Sequence, residues 1–226
     1  LVSNDETARR VEQLGEENFR IFKIGNPDID VMLSNNLPSL KEVFKRYNIN
    51  LNKYGIFCYH SVTTELEVLR KNIQQVIKAL IESKLKYIFI YPNNDEGSEI
   101  IIEELNKVKN NSNFKILKSI RFTHYLTLLK NANFIIGNSS SGIHEAPVYA
   151  IPTINIGTRQ NNRAKLQSIY NVSEKKNEII EIIEKIPTVT QPCFHYGKGN
   201  SADLFLKIVK KEEIFRIPIQ KVFCNF

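Results

Sequence analysis

Six apolar runs rich in Ile, Phe and Tyr alternate along this chain with segments of helical period: RIFKI (20–24), YGIFCYH (54–60), KYIFIYP (86–92), FKILKSI (114–120), NFIIGN (133–138) and PTINIG (152–157). Runs this short and this apolar fit strands buried on both faces. Between them, residues 64–84 place Leu66, Leu69, Ile73, Val76, Ile77 and Leu80 on one helical face, and SEIIIEELNKVKN (98–110) is patterned similarly. Strand, helix, strand, helix implies a parallel sheet covered on both sides. The chain is therefore read as α/β, with a Rossmann-like, doubly wound parallel sheet. Asn4 and Asp5, Ser39, Thr63 and Thr64, Ser139 to Ser141, Ser173, and Asn200 and Ser201 stand where helices are expected to begin, the positions that N-capping side chains occupy. One domain is expected over residues 1–199. A further helix and a tail, RIPIQKVFCNF, follow over 200–226, and the apolar residues of the tail need a surface to pack against.

In such sheets ligands sit beyond the carboxyl ends of the strands, so the loops there are the candidate walls of one cleft. GNSSSGIHEA (137–146) follows a strand and is expected to open a helix. Its backbone N–H groups and the positive end of the helix dipole would face an anion, with Ser139 and Ser140 donating hydroxyls; equally, one serine caps the helix and the others are filler. Glu145 gains from the same dipole, or else accepts the hydroxyls of a ribose. INIGTRQNNR (154–163) offers Arg159 and Arg163 for phosphate, or as ordinary surface arginines. YHSVTTE places His60 on the same rim, and YPNNDEGSE adds Asn93, Asn94 and Asp95, which also suit turn formation.

Charge and cysteine usage narrow the partners. The 31 Lys and Arg exceed the 24 Asp and Glu for a net charge of +7, but they are scattered, which disfavours a nucleic-acid stripe and suits an anionic small molecule. Cys58, Cys193 and Cys224 are odd in number and lack CxxC spacing, so neither a disulfide framework nor a zinc site is expected. Free thiols fit a reducing compartment, and with no signal-peptide or membrane-spanning pattern the expectation is a cytoplasmic protein that does not engage a membrane. The first residue is Leu, and a longer polypeptide is expected. There is no Walker loop, no dinucleotide fingerprint, no metal-ligand spacing, no Ser–His–Asp elbow and no acidic pair on the rim, so no cofactor and no metal are expected.

Together YHSVTTE, IYPNNDEGSE, SIRFTHYLTLLKNANFIIGNSSSGIHEAP and PTINIGTRQNNR, in this order, resemble the C-terminal half of hydrolysing UDP-N-acetylglucosamine 2-epimerases of sialic and legionaminic acid synthesis. The likeness runs from VSNDETARRVEQLGE to QKVFCNF. The resemblance implies one half of a glycosyltransferase-B-like pair of Rossmann-type domains, with the acid–base carboxylates in the N-terminal half. It also implies UDP-sugar as the partner, homo-oligomers, and UDP contacts at His60, Asn93, Ser139, Ser140, Glu145 and Arg159, with Ile120 beside the uracil and Arg163 a weaker contact. His144 stands where relatives often carry Arg, and no role passes to it. The implied reaction converts UDP-GlcNAc and water to N-acetylmannosamine and UDP. Alternatives are the epimerase acting on UDP-N,N'-diacetylbacillosamine, a glycosyltransferase using the same UDP contacts, and a non-catalytic UDP-sugar-binding module; the fragment alone is expected to be inactive.

Overall fold

The structure, a computed structural model, describes residues 1–187 and 190–220. Six parallel strands, β1 (Gly55–Cys58), β2 (Tyr87–Ile90), β3 (Phe114–Leu117), β4 (Phe134–Gly137), β5 (Thr153–Ile156) and β6 (Ile169–Val172), form one sheet in the order β3-β2-β1-β4-β5-β6. The expected fold class is borne out: the chain winds outward from β1 to β3, then returns to lay β4 on the other side of β1. That reversal leaves a crevice at the carboxyl ends of β1 and β4.

Strand periodicity divides the core in two. Phe57, Tyr87, Phe89, Phe114, Phe134 and Ile136 face one side, where α4 (Leu66–Glu82), α5 (Ser98–Lys107) and α8 (Lys176–Lys185) pack. Ile56, Ile88 and Ile135 face the other, beneath α3 (Leu40–Tyr47) and α6 (Phe122–Lys130). Aromatic rings in near contact, such as Phe57 and Phe89 at 4.9 Å, fill the first layer, and branched aliphatics fill the second.

Two compact units result, one from Pro38 to Cys193 holding the sheet, the other from Leu1–Leu37 with the chain from Phe194 onward. In the second, α1 (Asp5–Gln13) begins at Asn4, whose side chain accepts from the Thr7 amide, and α2 (Pro27–Met32) packs with α9 (Ser201–Val209). RIFKI is not a sixth core strand: among the described residues Lys23 makes an isolated bridge to Val2 and the segment joins no named strand. The sixth strand is instead the half-buried Ile169–Val172, whose exposed Asn171 blurs its apolar pattern. Of the tail, Ile219 is exposed and Lys221–Phe226, with Cys224, lie outside the described residues. No helix among the described residues is long and apolar enough to cross a membrane.

Ser39 caps α3 in a reciprocal box with Glu42. Thr63 and Thr64 cap nothing: α4 starts after Glu65 with no side-chain cap. Helix α9 takes its cap from elsewhere, since the Asp30 carboxylate accepts from the amides of Ser201 and Ala202, both at 2.9 Å. Asp30→Ala should therefore lower stability by about 1 kcal/mol, the usual worth of a helix cap. A urea midpoint equal to that of the parent chain would show that the cap carries no stability.

Candidate functional site

Beyond β1 the chain runs on to His60, and Cys58 Sγ lies 3.3 Å from His60 Nε2. The Asn93 amide, from the loop after β2, donates to His60 Nδ1 at 3.1 Å. A ring nitrogen that accepts carries no proton, so the neutral imidazole holds its proton on Nε2. Burial, helped by the Arg159 guanidinium, lowers the pKa of His60 to about 4. The ring is a neutral donor at physiological pH. Burial likewise pushes the Cys58 thiol up to about 11, so the sulfur stays protonated and is no nucleophile there.

β4 ends in Gly137 and passes at once into Asn138, which is 1% exposed. The Asn138 side chain accepts from the His60 amide at 2.7 Å and donates to the His60 carbonyl at 2.8 Å. Its own carbonyl accepts from Arg159 Nη1 at 3.1 Å and from Gln160 Nε2 at 2.9 Å, both from the loop after β5. The ends of β1, β4 and β5 are thus tied at one residue.

The serines follow. The helix expected after them is only α7 (Ser141–His144), four residues long, continued by a 3-10 turn at Ala146–Tyr149, so little dipole is available. Ser140 occupies the N-cap without a side-chain cap bond. Ser139 Oγ accepts from the Ser141 amide at 3.3 Å, and the Ser141 hydroxyl is hydrogen-bonded to Tyr125. Among the described residues the amides of Ser139 and Ser140 meet no protein acceptor, and they supply the donors an anion needs in place of the missing dipole. Gly142 allows α7 to lie on β5, since a Cβ there would come within 2.5 Å of Thr153 Cγ2.

These loops enclose a cleft of about 310 Å³ lined by Cys58, His60, Asn93, Ser139, Ser140, Ser141 and Arg159 on its polar side and by Ile90, Tyr91, Ile120, Phe122 and Tyr125 on its apolar side. Six of the sequence-based candidates, His60, Asn93, Ile120, Ser139, Ser140 and Arg159, therefore line one cleft. Glu145 is half-buried outside this lining, at the end of α7 rather than near its start, where the dipole no longer favours a carboxylate. Arg163 is exposed on the loop after Gln160 and outside the lining as well. One polar end with donors and a cation, joined to one apolar end with aromatic rings, suits an anion attached to a flat ring. No carboxylate lines the cleft among the described residues, so its own groups offer hydrogen bonds and charge but no acid–base pair.

Asn138, Tyr125 and Cys58 stand in or beside the cleft without being candidates from the sequence. Cys58 was detectable as the residue two before His60 on one strand face, and Asn138 as the first residue past the strand. Nothing local marks Tyr125, which reaches Ser141 from α6 through the fold alone.

A family model described as UDP-N-acetylglucosamine 2-epimerase matches residues 1–210. The chain is 40% identical over 230 residues to a UDP-N-acetylglucosamine 2-epimerase of Neisseria meningitidis serogroup B, covering 100% of this chain and 61% of that protein. It is 34% identical over 190 residues to a GDP/UDP-N,N'-diacetylbacillosamine 2-epimerase (hydrolyzing) of Campylobacter jejuni, covering 82% of this chain and 49% of that one. In structure it resembles the Methanocaldococcus jannaschii UDP-GlcNAc 2-epimerase in complex with UDP-GlcNAc and UDP, at a TM-score of 0.73 and 19% identity over 92% of this chain and 59% of that one, a likeness of fold. The fold is thus the Rossmann-like half of a glycosyltransferase-B-like architecture, and the chain spans about three fifths or less of these relatives' lengths. With strand order, rim loops and family match in agreement, the chain belongs to the UDP-N-acetylglucosamine 2-epimerase family.

Proposed function

We propose that this chain is the UDP-binding part of a hydrolysing UDP-GlcNAc 2-epimerase, which converts UDP-GlcNAc and water to N-acetylmannosamine and UDP. The observation that carries the reading is the cleft at the β1–β4 reversal, where the Ser139 and Ser140 donors, Arg159 and the neutral His60 converge on one polar end. In this reading the nucleotide domain is residues 1–199, of which the compact unit Pro38–Cys193 carries the cleft, and the helix and tail over 200–226 serve the remainder of the protein. The diphosphate lies against Ser139 and Ser140, Arg159 balances its charge, and Arg163 supports it from the rim. The uracil lies along Ile120, and Glu145 takes the ribose hydroxyls.

Loss of the C2 proton forms a C1–C2 double bond as the C1–oxygen bond breaks and its electron pair leaves with UDP. Water then adds its oxygen to C1, and a proton returns to C2 on the opposite face. His60 contributes as a neutral Nε2–H donor that exchanges its weak sulfur acceptor, Cys58 Sγ at 3.3 Å, for the leaving diphosphate. The carboxylates that move the C2 protons belong to the part of the protein outside this chain, in keeping with a cleft lined by none among the described residues.

Calorimetric titration of the 226-residue chain with UDP tests this directly. One site is expected, and Glu145→Ala is expected to weaken it by about 100-fold, as loss of a charged hydrogen-bonding partner does. Unchanged affinity in that variant would remove the ribose assignment, and absence of binding by the parent would remove the reading. The chain alone is expected to release no UDP from UDP-GlcNAc; turnover would contradict the division of labour. The Campylobacter similarity favours UDP-N,N'-diacetylbacillosamine as the second substrate reading. UDP release by the longer protein from each sugar nucleotide separates the two.

A further inference from the structure

The register between β1 and β4 ends at the pair Cys58 and Gly137. One residue later, Asn138 replaces it: Oδ1 faces the His60 N–H and Nδ2 faces the His60 carbonyl, as a strand backbone would. This orientation of the amide is fixed, because the reverse would set donor against donor and acceptor against acceptor. The same residue's amide donates to the Cys58 carbonyl at 3.1 Å, and its carbonyl holds Arg159 and Gln160. Every polar group of a residue 1% exposed is therefore spent on the loops that carry the cleft.

We propose that Asn138 is the positioning residue of the nucleotide site: its side chain fixes His60 and its carbonyl fixes Arg159, so that imidazole and guanidinium meet one diphosphate as a unit. The proposal rests on the UDP reading above. Asn138 acts through these two groups and is itself no lining residue of the cleft. Its neutrality matters as much as its shape. The charged groups that act on the His60 ring are Arg159 and, weakly, Asp95, with the Cys58 thiol and the Asn93 amide in contact. Aspartate at 138 would lose the donor to the His60 carbonyl and set a negative charge against it; alanine would leave the His60 amide and carbonyl without these partners.

The test compares the parent chain with Asn138→Ala and Asn138→Asp by UDP calorimetry, urea unfolding and nitrogen–proton correlation spectra of the His60 ring without nucleotide. Expected are cooperative unfolding, UDP affinity about 30-fold weaker, and a His60 ring that moves from a single Nε2–H pattern toward an averaged one, because its backbone anchor is lost. Affinity within threefold of the parent in a folded variant overturns the proposal, as does weakened affinity with an unchanged ring signature. If Asn138→Ala does not fold, Asn138→Asp is read by the same criteria; failure of both to fold assigns Asn138 to the fold alone and also overturns it. Failure of the parent to bind UDP counts against the nucleotide reading and is told apart by the ring spectra, which need no ligand.

Discussion

Gly137→Ala is expected to lower the stability of the chain by about 3 kcal/mol or more. Gly137 has φ +132°, and a Cβ built on it would come within 2.0 Å of the Cys58 carbonyl oxygen. That neighbour is backbone in the adjacent central strand, so no side-chain rotation relieves the clash. The substitution also imposes a backbone conformation that L side chains rarely adopt. Strand β1 must move away from β4, and because Cys58 leads directly into His60 the displacement reaches the cleft. Urea unfolding should show the loss in the midpoint, and UDP affinity should fall with it under conditions where the variant remains folded. A midpoint corresponding to less than 1 kcal/mol of change would mean that the strands adapt and that Gly137 is not required by close approach.

The same junction shows what a sequence reveals and what it hides. The strand cores were legible because residues such as Ile88, Phe89 and Ile135 are buried on both faces and leave unbroken apolar runs. The edge strand Ile169–Val172 was not, since one half-solvated strand interrupted by Asn171 gives no such run. RIFKI misled for the converse reason: an apolar run specifies extended backbone, but a ladder also needs a neighbour, which only the tertiary fold supplies. In the cleft, rim position identified His60, Asn93, Ser139 and Arg159, because strand ends are set by the apolar pattern. The length of α7 was hidden. Its continuation as a 3-10 turn follows the Pro147 ring, which removes a donor, and it moved Glu145 from a helix start to a helix end. The tie made by Asn138 spans residues 60, 138, 159 and 160, and no local pattern encodes a bond of that separation.

Acid should destabilise the chain through His60 well before its carboxylates protonate. Folding lowers the pKa of this ring from 6.5 to about 4, through burial first and the Arg159 charge second, with Asp95 weakly opposed. Between those two values the unfolded chain binds a proton that the folded chain excludes, so stability falls as pH falls and is fully retained only above about 6.5. The shift corresponds to about 3 kcal/mol once the pH reaches 4. His124 also has a lowered pKa, from burial and the charges of Arg46 and Arg121, and contributes in the same direction. Comparison with His60→Gln separates the two: the variant loses the hydrogen bonds of the ring at every pH, a constant offset, but keeps only the His124 part of the slope. Urea midpoints at pH 7, 6 and 5 should therefore converge between parent and variant as pH falls. Parallel curves would show that His60 titrates normally in the folded chain, and would remove the neutral Nε2–H donor from the proposed handling of the leaving diphosphate.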